Sequence, residues 1–234
     1  MTPSPRPLHI VLIPGFMCDA TLWQTIMPDL QELGQVHLAD LNEGENIDAM
    51  ALRIINHLPE LCVLIGFSLG GYVARRIAVL AANRISKLIL LNTSARATTP
   101  EEIIRNQQQI KMLQTFPYKG QTFTALKRAL HPDQSNNMAL LTFLQNMSLT
   151  LGKDVFVRQL SIIREDGYAD FKHILCPTLV VASRQDQMRA LAESDNIVTE
   201  LLDPTYHILE DCGHMSPLEK PDDVIAILQK FIRA

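Results

Sequence analysis

A serine with a glycine two positions away on each side is the first feature of this sequence that could carry chemistry. The segment 66–71 reads GFSLGG, and it joins an apolar β-type run to a helical pattern. A serine at the tip of so sharp a strand-to-helix turn takes strained backbone angles, and glycine at 66 and 70 leaves the room that such a turn needs. The hydroxyl would lie at a helix N-terminus, where the dipole favours developing negative charge. The motif therefore predicts Ser68 as a nucleophile.

A serine hydroxyl needs a positioned base, and the base needs a carboxylate that orients it. Of the seven histidines, His214 follows the last predicted strand, so it would lie at the same sheet edge as Ser68. Asp186 follows the strand before it, and the order serine, acid, histidine is the one this motif requires. These three residues are the predicted catalytic group. Three other aspartates are less well placed, since they follow no predicted strand or end one: Asp170, Asp203 and Asp211.

An oxyanion that forms at this serine would need backbone N–H donors. Leu69 would supply one, because it follows the nucleophile directly. The loop after the first predicted strand, 14–18, would supply the other: Gly15 permits the turn and Phe16 presents its N–H. A plain strand-to-helix connector is the alternative interpretation of this loop.

The elements that must position these residues alternate between short apolar β-type runs and helical patterns. This alternation is typical of a parallel sheet with helices on both faces, hence of an α/β fold. Strands are predicted over 8–13, 36–39, 62–65, 88–91, 178–182 and 206–210. Helices are predicted over 22–32, 47–57, 69–82, 188–196 and 221–232.

One stretch between the fourth and fifth strands breaks the alternation. From 93 to 168 the pattern is helical, with breaks at Pro100, 117–120, Pro132 and Gly152, so four helices are predicted there. The predicted domains are therefore a core of 1–92 and 169–234 and a helical cap over 93–168, called the cap segment below. An insertion at the carboxyl ends of parallel strands is placed to act as a lid. The cap segment carries nine Lys/Arg against six Asp/Glu.

Composition excludes several function classes. The net charge of −4 gives no basic face for nucleic acid, and no apolar run reaches the roughly 20 residues that span a bilayer. Without a recognisable secretory signal, a cytoplasmic location is expected. The four cysteines are scattered and predict reduced thiols rather than a metal or redox site. Cys18 is the one near the expected site.

The ending 213–221, GHMSPLEKP, resembles the G-H-x-x-x-x-E-x-P pattern of the cofactor-free α/β-hydrolases. With the serine turn, this resemblance covers nearly the whole chain. It implies Ser68, Asp186 and His214 as a triad, Phe16 and Leu69 as oxyanion donors, a helical cap, and neither cofactor nor metal.

Three departures from the family pattern matter. Pro14 stands where members often carry histidine, which keeps the backbone donor but changes the supporting contacts of the loop. Ser183 stands where a glycine often precedes the acid by three residues. Only seven residues precede the first predicted strand, too few for the family's usual N-terminal hairpin, so six parallel strands are expected.

Within the family the chain is similar to carboxylesterases of the pimeloyl-carrier methyl esterase and enol-lactonase type. This resemblance implies hydrolysis of a carboxylic ester or thioester through an acyl-enzyme, with a small acyl compound as substrate. The positive cap segment makes an acyl carrier a candidate partner, although solvated surface charge explains it equally well. Six side chains are expected to line an apolar acyl pocket, with packing of helices as their alternative role: Phe67, Phe116, Phe123, Phe143, Met147 and Met215.

Two alternatives from other classes remain open. A lyase similar to the SHCHC synthases of menaquinone synthesis would use the triad to abstract a proton, with Arg96, Arg105 or Arg158 holding substrate carboxylates. A receptor-like member of the fold would bind a ligand in place of hydrolysis.

Overall fold

Six strands form one parallel sheet in a computed structural model that describes residues 7–234. The strands are β1 His9–Ile13, β2 Gln35–Leu38, β3 Cys62–Phe67, β4 Ile85–Leu91, β5 Thr178–Ser183 and β6 Pro204–Leu209. Their spatial order is β2-β1-β3-β4-β5-β6. The prediction of an α/β fold with six parallel strands is confirmed. Residues 1–6 of the predicted core segment lie outside the described residues.

The helices cover both faces of this sheet. They are α1 Met27–Leu33, α2 Ile47–Ile55, α3 Leu69–Leu80, α4 Pro100–Thr115, α5 Phe123–Lys127, α6 Met138–Ser161, α7 Leu191–Glu200, α8 Ser216–Glu219 and α9 Pro221–Arg233. Side chains alternate between the faces along β1. Ile10 and Leu12 belong to the apolar cluster that includes residues of α1 and α9, whereas Val11 and Ile13 belong to the cluster with α2, α3 and α7. Each face of the sheet therefore packs against a hydrophobic core of its own.

The strand order reverses at β1, which lies between β2 and β3. Ile13 pairs with Gly66, so the loop after β1 and the turn after β3 leave the sheet side by side. In open parallel sheets, ligands bind at the carboxyl ends of the strands beside such a switch point. The topology thus brings the serine turn and the loop that begins at Pro14 to the edge where a site is expected.

Two predicted helices begin three or more residues before the observed ones. The segment predicted as one helix over 22–32 starts as a 3₁₀ turn, Ala20–Trp23, and α1 begins only at Met27. Pro28 is tolerated in the first turn of a helix but not in its interior, so the helix must begin there. The helix predicted over 188–196 is α7, which begins at Leu191 because the carboxylate of Asp186 holds the preceding residues in a turn.

Three helices, α4, α5 and α6, lie between β4 and β5. Gly152 interrupts α6 with a φ of 83°, so the segment contains four α-helical parts and a 3₁₀ turn over Pro132–Gln134. Its two ends are joined to each other by backbone hydrogen bonds, from Thr98 N–H to Arg164 C=O and from Gly167 N–H to Ala95 C=O. Within residues 7–234, none of the helices has the length and apolar character required to cross a membrane.

Candidate active site

The serine turn has the strained geometry that its sequence predicts. Ser68 lies between β3 and α3 with φ 51° and ψ −114°, a conformation that side-chain-bearing residues rarely adopt. Its backbone is held by the bond from Ser68 N–H to Leu91 C=O, 2.9 Å. A Cβ on Gly70 would lie 2.3 Å from the carbonyl oxygen of Ile13, so glycine is required there for the turn to approach β1. The strain presents the Ser68 hydroxyl at the start of α3.

His214 connects that hydroxyl to a carboxylate. Its Nε2 lies 2.9 Å from Ser68 Oγ, and its Nδ1 lies 2.7 Å from Asp186 Oδ2. Ser68 and His214 are each 6% exposed, so the hydrogen bonds are shielded from water. The ring of Phe67 packs against the imidazole with centroids 5.1 Å apart. The structure therefore brings together the three residues that the sequence analysis selected.

The carboxylate of Asp186 receives four hydrogen bonds. Oδ1 accepts from the backbone N–H groups of Met188 and Arg189, at 2.7 and 2.9 Å, and Oδ2 accepts from Asn92 Nδ2 as well as from His214. Burial alone would raise the pKa of this carboxyl. The nearby His214 and the hydrogen bonds outweigh burial and hold the pKa of Asp186 below its ordinary value. An ionised Asp186 can fix the Nδ1–H tautomer of the imidazole and leave Nε2 free to accept a proton.

Asn92 is a site residue that the sequence analysis missed. It directly follows β4 and has a φ of 45°, a left-handed conformation that asparagine tolerates better than most residues. Its Nδ2 also donates to Ser183 Oγ at 2.8 Å, and its Oδ1 accepts from Ser216 Oγ at 2.6 Å. The serine that replaces the usual glycine before the acid thus has a partner. The only sequence signal was position, since Asn92 follows a strand at the same sheet edge.

The loop after β1 passes beside the serine. A Cβ on Gly15 would lie 3.2 Å from Ser68 Cβ and 2.8 Å from the Phe67 ring. Residues 15–18 form a turn closed by the bond from Cys18 N–H to Gly15 C=O, 3.2 Å. Phe16 directly follows Gly15 in this turn, and Leu69 is the first residue of α3. The two predicted donors thus lie on segments that flank Ser68.

Glu219 attaches the loop 210–215, which carries His214 and is called the histidine loop below, to the cap segment. It is the glutamate of the GHMSPLEKP pattern, and its carboxylate accepts from three backbone N–H groups, at 2.6, 3.3 and 3.0 Å: those of His131, Gly213 and Met215. His131 belongs to the cap segment. Burial raises the pKa of Glu219 despite these donors. The N–H of His214 also donates to Ala129 C=O of the cap segment, 2.9 Å. The histidine loop is therefore bonded to the cap segment twice, through the Glu219 carboxylate and through the backbone of His214.

Five of the six side chains expected in an acyl pocket lie in one apolar cluster. Phe67, Met147 and Met215 are buried members, and Phe123 and Phe143 pack against it. Phe116 is not brought to it: it ends α4 with 60% of its surface exposed. Periodicity cannot tell which way a residue at a helix terminus faces.

The arginines considered for substrate carboxylates already have protein partners. Arg96 forms a bidentate ion pair with Glu102, 2.8 Å, and Arg158 donates to Asn42 C=O. Arg105 is mostly exposed and lies 3.9 Å from Glu102. No contact of these side chains favours the lyase alternative. Across residues 7–234 there is also no group of three or more His, Cys, Asp or Glu that could hold a metal ion.

Comparison with known proteins places the chain in a family. The sequence pattern of the alpha/beta hydrolase family matches residues 10–227. The chain belongs to this family. Solved structures share the fold: a thermophilic esterase from Thermogutta terrifontis superposes with a TM-score of 0.84, at 24% identity, over 97% of this chain and 89% of that one. The enol-lactonase from Burkholderia xenovorans LB400 also gives a TM-score of 0.84, at 18% identity, over 98% and 92%.

Curated relatives include enzymes of one named activity. The pimeloyl-[acyl-carrier protein] methyl ester esterase of Nitrosospira multiformis is 24% identical over 96% of this chain and 94% of its own length. The biotin biosynthesis bifunctional protein BioHC of Cellvibrio japonicus is 24% identical over 97% of this chain, but the match spans only 47% of its length. A Vibrio parahaemolyticus esterase of the same name as the Nitrosospira one is 35% identical, over 37% of each chain. The chain thus spans about half of the length of the bifunctional protein and nearly the whole length of the Nitrosospira enzyme.

Proposed function

We propose that this alpha/beta hydrolase cleaves a carboxylic ester or thioester through an acyl-enzyme on Ser68. The observation that carries the proposal is the unbroken hydrogen-bond chain from Ser68 Oγ through His214 to Asp186. A nucleophile, a base and an orienting carboxylate at these distances form the constellation of serine hydrolases.

In the acylation step, Ser68 Oγ attacks the substrate carbonyl carbon while His214 Nε2 takes the hydroxyl proton. The carbonyl oxygen becomes an oxyanion, which the N–H groups of Phe16 and Leu69 stabilise. The protonated imidazole then gives its proton to the departing alcohol or thiol, and the acyl group stays on Ser68.

In the deacylation step, a water molecule takes the place of the leaving group. His214 removes a proton from that water as its oxygen attacks the acyl carbon, and it returns the proton to Ser68 Oγ as the carboxylic acid leaves. Asp186 stays ionised throughout and stabilises the imidazolium. The products are a carboxylic acid and the alcohol or thiol, with the enzyme regenerated.

The acyl chain of the substrate would bind in the apolar cluster next to Ser68. Phe67, Met147 and Met215 belong to that cluster, and Phe67 already contacts the catalytic imidazole. The relatives that are named as pimeloyl-[acyl-carrier protein] methyl ester esterases suggest a methyl ester of a carrier-bound acyl chain as the first substrate to test.

The segment 93–168 would act as the cap over this site. Ser68 is almost fully buried, so a substrate can reach the hydroxyl only if a part of the protein moves, and the cap segment is the part that we propose. Two surface cavities of about 390 and 430 Å³ lie elsewhere, since neither is lined by Ser68, Asp186 or His214. Phe143 lines the first and Arg158 the second.

The test is hydrolysis of p-nitrophenyl esters from acetate to long acyl chains by the wild type, Ser68→Ala and Ser161→Ala. Ser161 lies exposed on α6, so its variant controls for the loss of a hydroxyl. We expect Ser68→Ala to abolish turnover and Ser161→Ala to keep it. Folded wild-type protein without activity on any ester, or turnover that survives Ser68→Ala, contradicts the proposal. A methyl ester of a dicarboxylic acyl chain, free and on an acyl carrier protein, then tests the substrate class.

A further inference from the structure

A buried glutamine of the cap segment links it to the loop that carries Phe16. Gln159, in the last part of α6, is 5% exposed. Its Oε1 accepts from Met17 N–H at 2.8 Å, and its Nε2 donates to Leu41 C=O at 2.9 Å. A buried amide whose donor and acceptor both bond to backbone holds that backbone firmly, because the bonds cannot be replaced by water. One side chain thus joins α6 to the loops after β1 and β2.

The hydrogen bond from Met17 N–H to Gln159 involves the Phe16–Met17 peptide, whose orientation determines the type of the turn 15–18. Met17 is the third residue of the turn 15–18 and has a φ of 51°. A positive φ at this position is that of a type II turn, in which the peptide before it is rotated by about half a turn relative to type I. Methionine gains nothing from this conformation by itself. Gln159 Oε1 receives the N–H that the rotated peptide presents, and so stabilises the less common form.

A second contact from the same face of α6 reaches the same loop. Phe156, three residues before Gln159, packs its ring against that of Phe16 with centroids 5.6 Å apart. The Phe156 ring is held in turn by Tyr118, 5.1 Å away. Phe16 and Met17 are therefore both held by α6, one by its side chain and the other by its backbone.

We propose that Gln159 is the positioning residue for the oxyanion donor at Phe16. By holding Met17 N–H it fixes the peptide that follows Phe16, and with the contact from Phe156 it keeps the loop that carries Phe16 N–H in place beside Ser68. The oxyanion site is then complete only when α6 is docked on the core. Closure of the cap segment would thereby switch on stabilisation of the oxyanion, and an open enzyme would bind substrate without acylating efficiently. This inference rests on the proposed esterase function.

The test compares Gln159→Leu with Gln145→Leu. Both residues are glutamines of α6, but Gln145 Nε2 donates to Gln121 C=O, so its hydrogen bond stays inside the cap segment. For Gln159→Leu we expect kcat to fall about 10- to 100-fold with KM within about threefold, a smaller loss than the 10²–10³-fold for removal of a donor itself. Gln145→Leu should stay within about threefold of wild type in kcat.

Two further measurements separate positioning from general damage. Phenylboronic acid forms a tetrahedral adduct with a catalytic serine, and its Ki should rise in Gln159→Leu by the same factor as kcat/KM falls. Gln159→Glu keeps the acceptor for Met17 N–H, so it should retain more activity than Gln159→Leu. If the leucine variant does not fold, Gln159→Glu replaces it in the comparison with wild type. Equal losses in both leucine variants, or a kcat for Gln159→Leu within threefold of wild type, overturn the inference.

Amide exchange distinguishes failure of this inference from failure of the esterase proposal. The Met17 amide should exchange slowly in wild type and in Gln145→Leu, and clearly faster in Gln159→Leu. If wild type hydrolyses no ester, the esterase proposal fails but the exchange still reports on the turn. Equal protection of Met17 in all three proteins overturns the positioning role whatever the activity.

Discussion

Asn92 Nδ2 lies 3.1 Å from Oδ2 of Asp186, the same carboxylate oxygen that His214 Nδ1 approaches at 2.7 Å. One oxygen thus serves both the orienting bond to the imidazole and a bond to a buried amide. The amide is itself fixed by Ser183, Ser216 and the carbonyl of Gly213, so its direction is determined by four partners, the carboxylate included. Asn92 would therefore hold the acid in the orientation that the imidazole needs.

Replacement of Asn92 by alanine should impair the acid rather than the nucleophile. Hydrogen bonds to the ionised form lower the pKa of Asp186, so loss of one raises that pKa. Because activity needs the ionised carboxylate, the acid limb of kcat/KM should move to higher pH. We expect a roughly 3- to 30-fold loss of kcat near neutral pH, less than the roughly 10²–10⁴-fold that a whole acid–base group contributes. A pH profile of ester hydrolysis for wild type and Asn92→Ala measures both effects.

The matched control is Asn106→Ala, because Asn106 is a half-buried asparagine whose amide bonds to Leu160 C=O within the cap segment. Its pH profile should follow that of wild type. An Asn92→Ala profile with an unshifted acid limb would contradict the assignment of Asn92 to the acid.

The parts of the site that could be predicted are those with a local sequence pattern. Ser68 has its glycines within two residues, and His214 and Asp186 each follow a predicted strand, so the parallel sheet alone brings them to one edge. Their proximity needs no knowledge of side-chain packing. Their catalytic roles remain a proposal that the serine variant tests.

The missed residues depend on contacts between distant parts of the chain. Gln159 meets Met17 across 142 residues, and Asn92 meets Asp186 across 94. Nothing in the residues next to a glutamine on a helix indicates which backbone N–H it will find. The exposure of Phe116 was missed for the same reason. A helical pattern predicts which residues share a face of the helix, but not which part of the protein covers that face.

The ion pairs of Glu102 with Arg96 and Arg164 should make a pH-dependent contribution to stability. Hydrogen bonds from Arg96 lower the pKa of Glu102 to about 2. A carboxyl with a depressed folded pKa contributes stability above its unfolded value of about 4.3, and this is lost as the pH falls through the folded pKa. At pH 7, Glu102→Gln should lower the free energy of unfolding by about 1–2 kcal/mol, since partly solvated pairs contribute less than the shift implies.

Urea unfolding at pH 7, 4 and 3 measures this dependence for wild type, Glu102→Gln and Glu165→Gln. The difference between wild type and Glu102→Gln should shrink steadily below pH 4. Glu165 is exposed in the same segment, so its variant should match wild type throughout. A difference for Glu102→Gln that stays constant from pH 7 to 3 would count against the ion pair as its source.

Cys18 should be inert although it lies beside the site. Burial, together with the nearby Asp19, raises the pKa of its thiol to about 12, and the thiolate is the reactive form. At pH 8, iodoacetamide should leave Cys18 unmodified and activity unchanged, with the half-buried Cys176 as the first to react. Peptide mass spectrometry identifies the labelled residues, and urea-unfolded protein, in which all four should react, is the control. Rapid labelling of Cys18 in folded protein would contradict its burial.

Glu219 should affect catalysis through the position of the histidine loop. Its two oxygens serve His131 on the cap segment and Gly213 and Met215 on either side of His214. In Glu219→Gln one oxygen becomes an NH₂ group that faces an N–H donor, so at least one of these bonds is lost. Loss of a buried bond of this type costs about 1–3 kcal/mol of stability. Because the loop that carries the imidazole then shifts, we expect kcat to fall about tenfold or more, as sub-ångström misplacement of a catalytic base is costly.

The control for this variant is Glu210→Gln, because Glu210 forms only an exposed ion pair with Arg184 just after β6. Exposed pairs contribute little, so both its melting temperature and its kcat should stay near wild type. Thermal unfolding and ester hydrolysis of the three proteins give the comparison. A Glu219→Gln protein with lowered stability and unchanged kcat would mean that the glutamate only fastens the cap segment, and that the geometry of His214 is maintained without it.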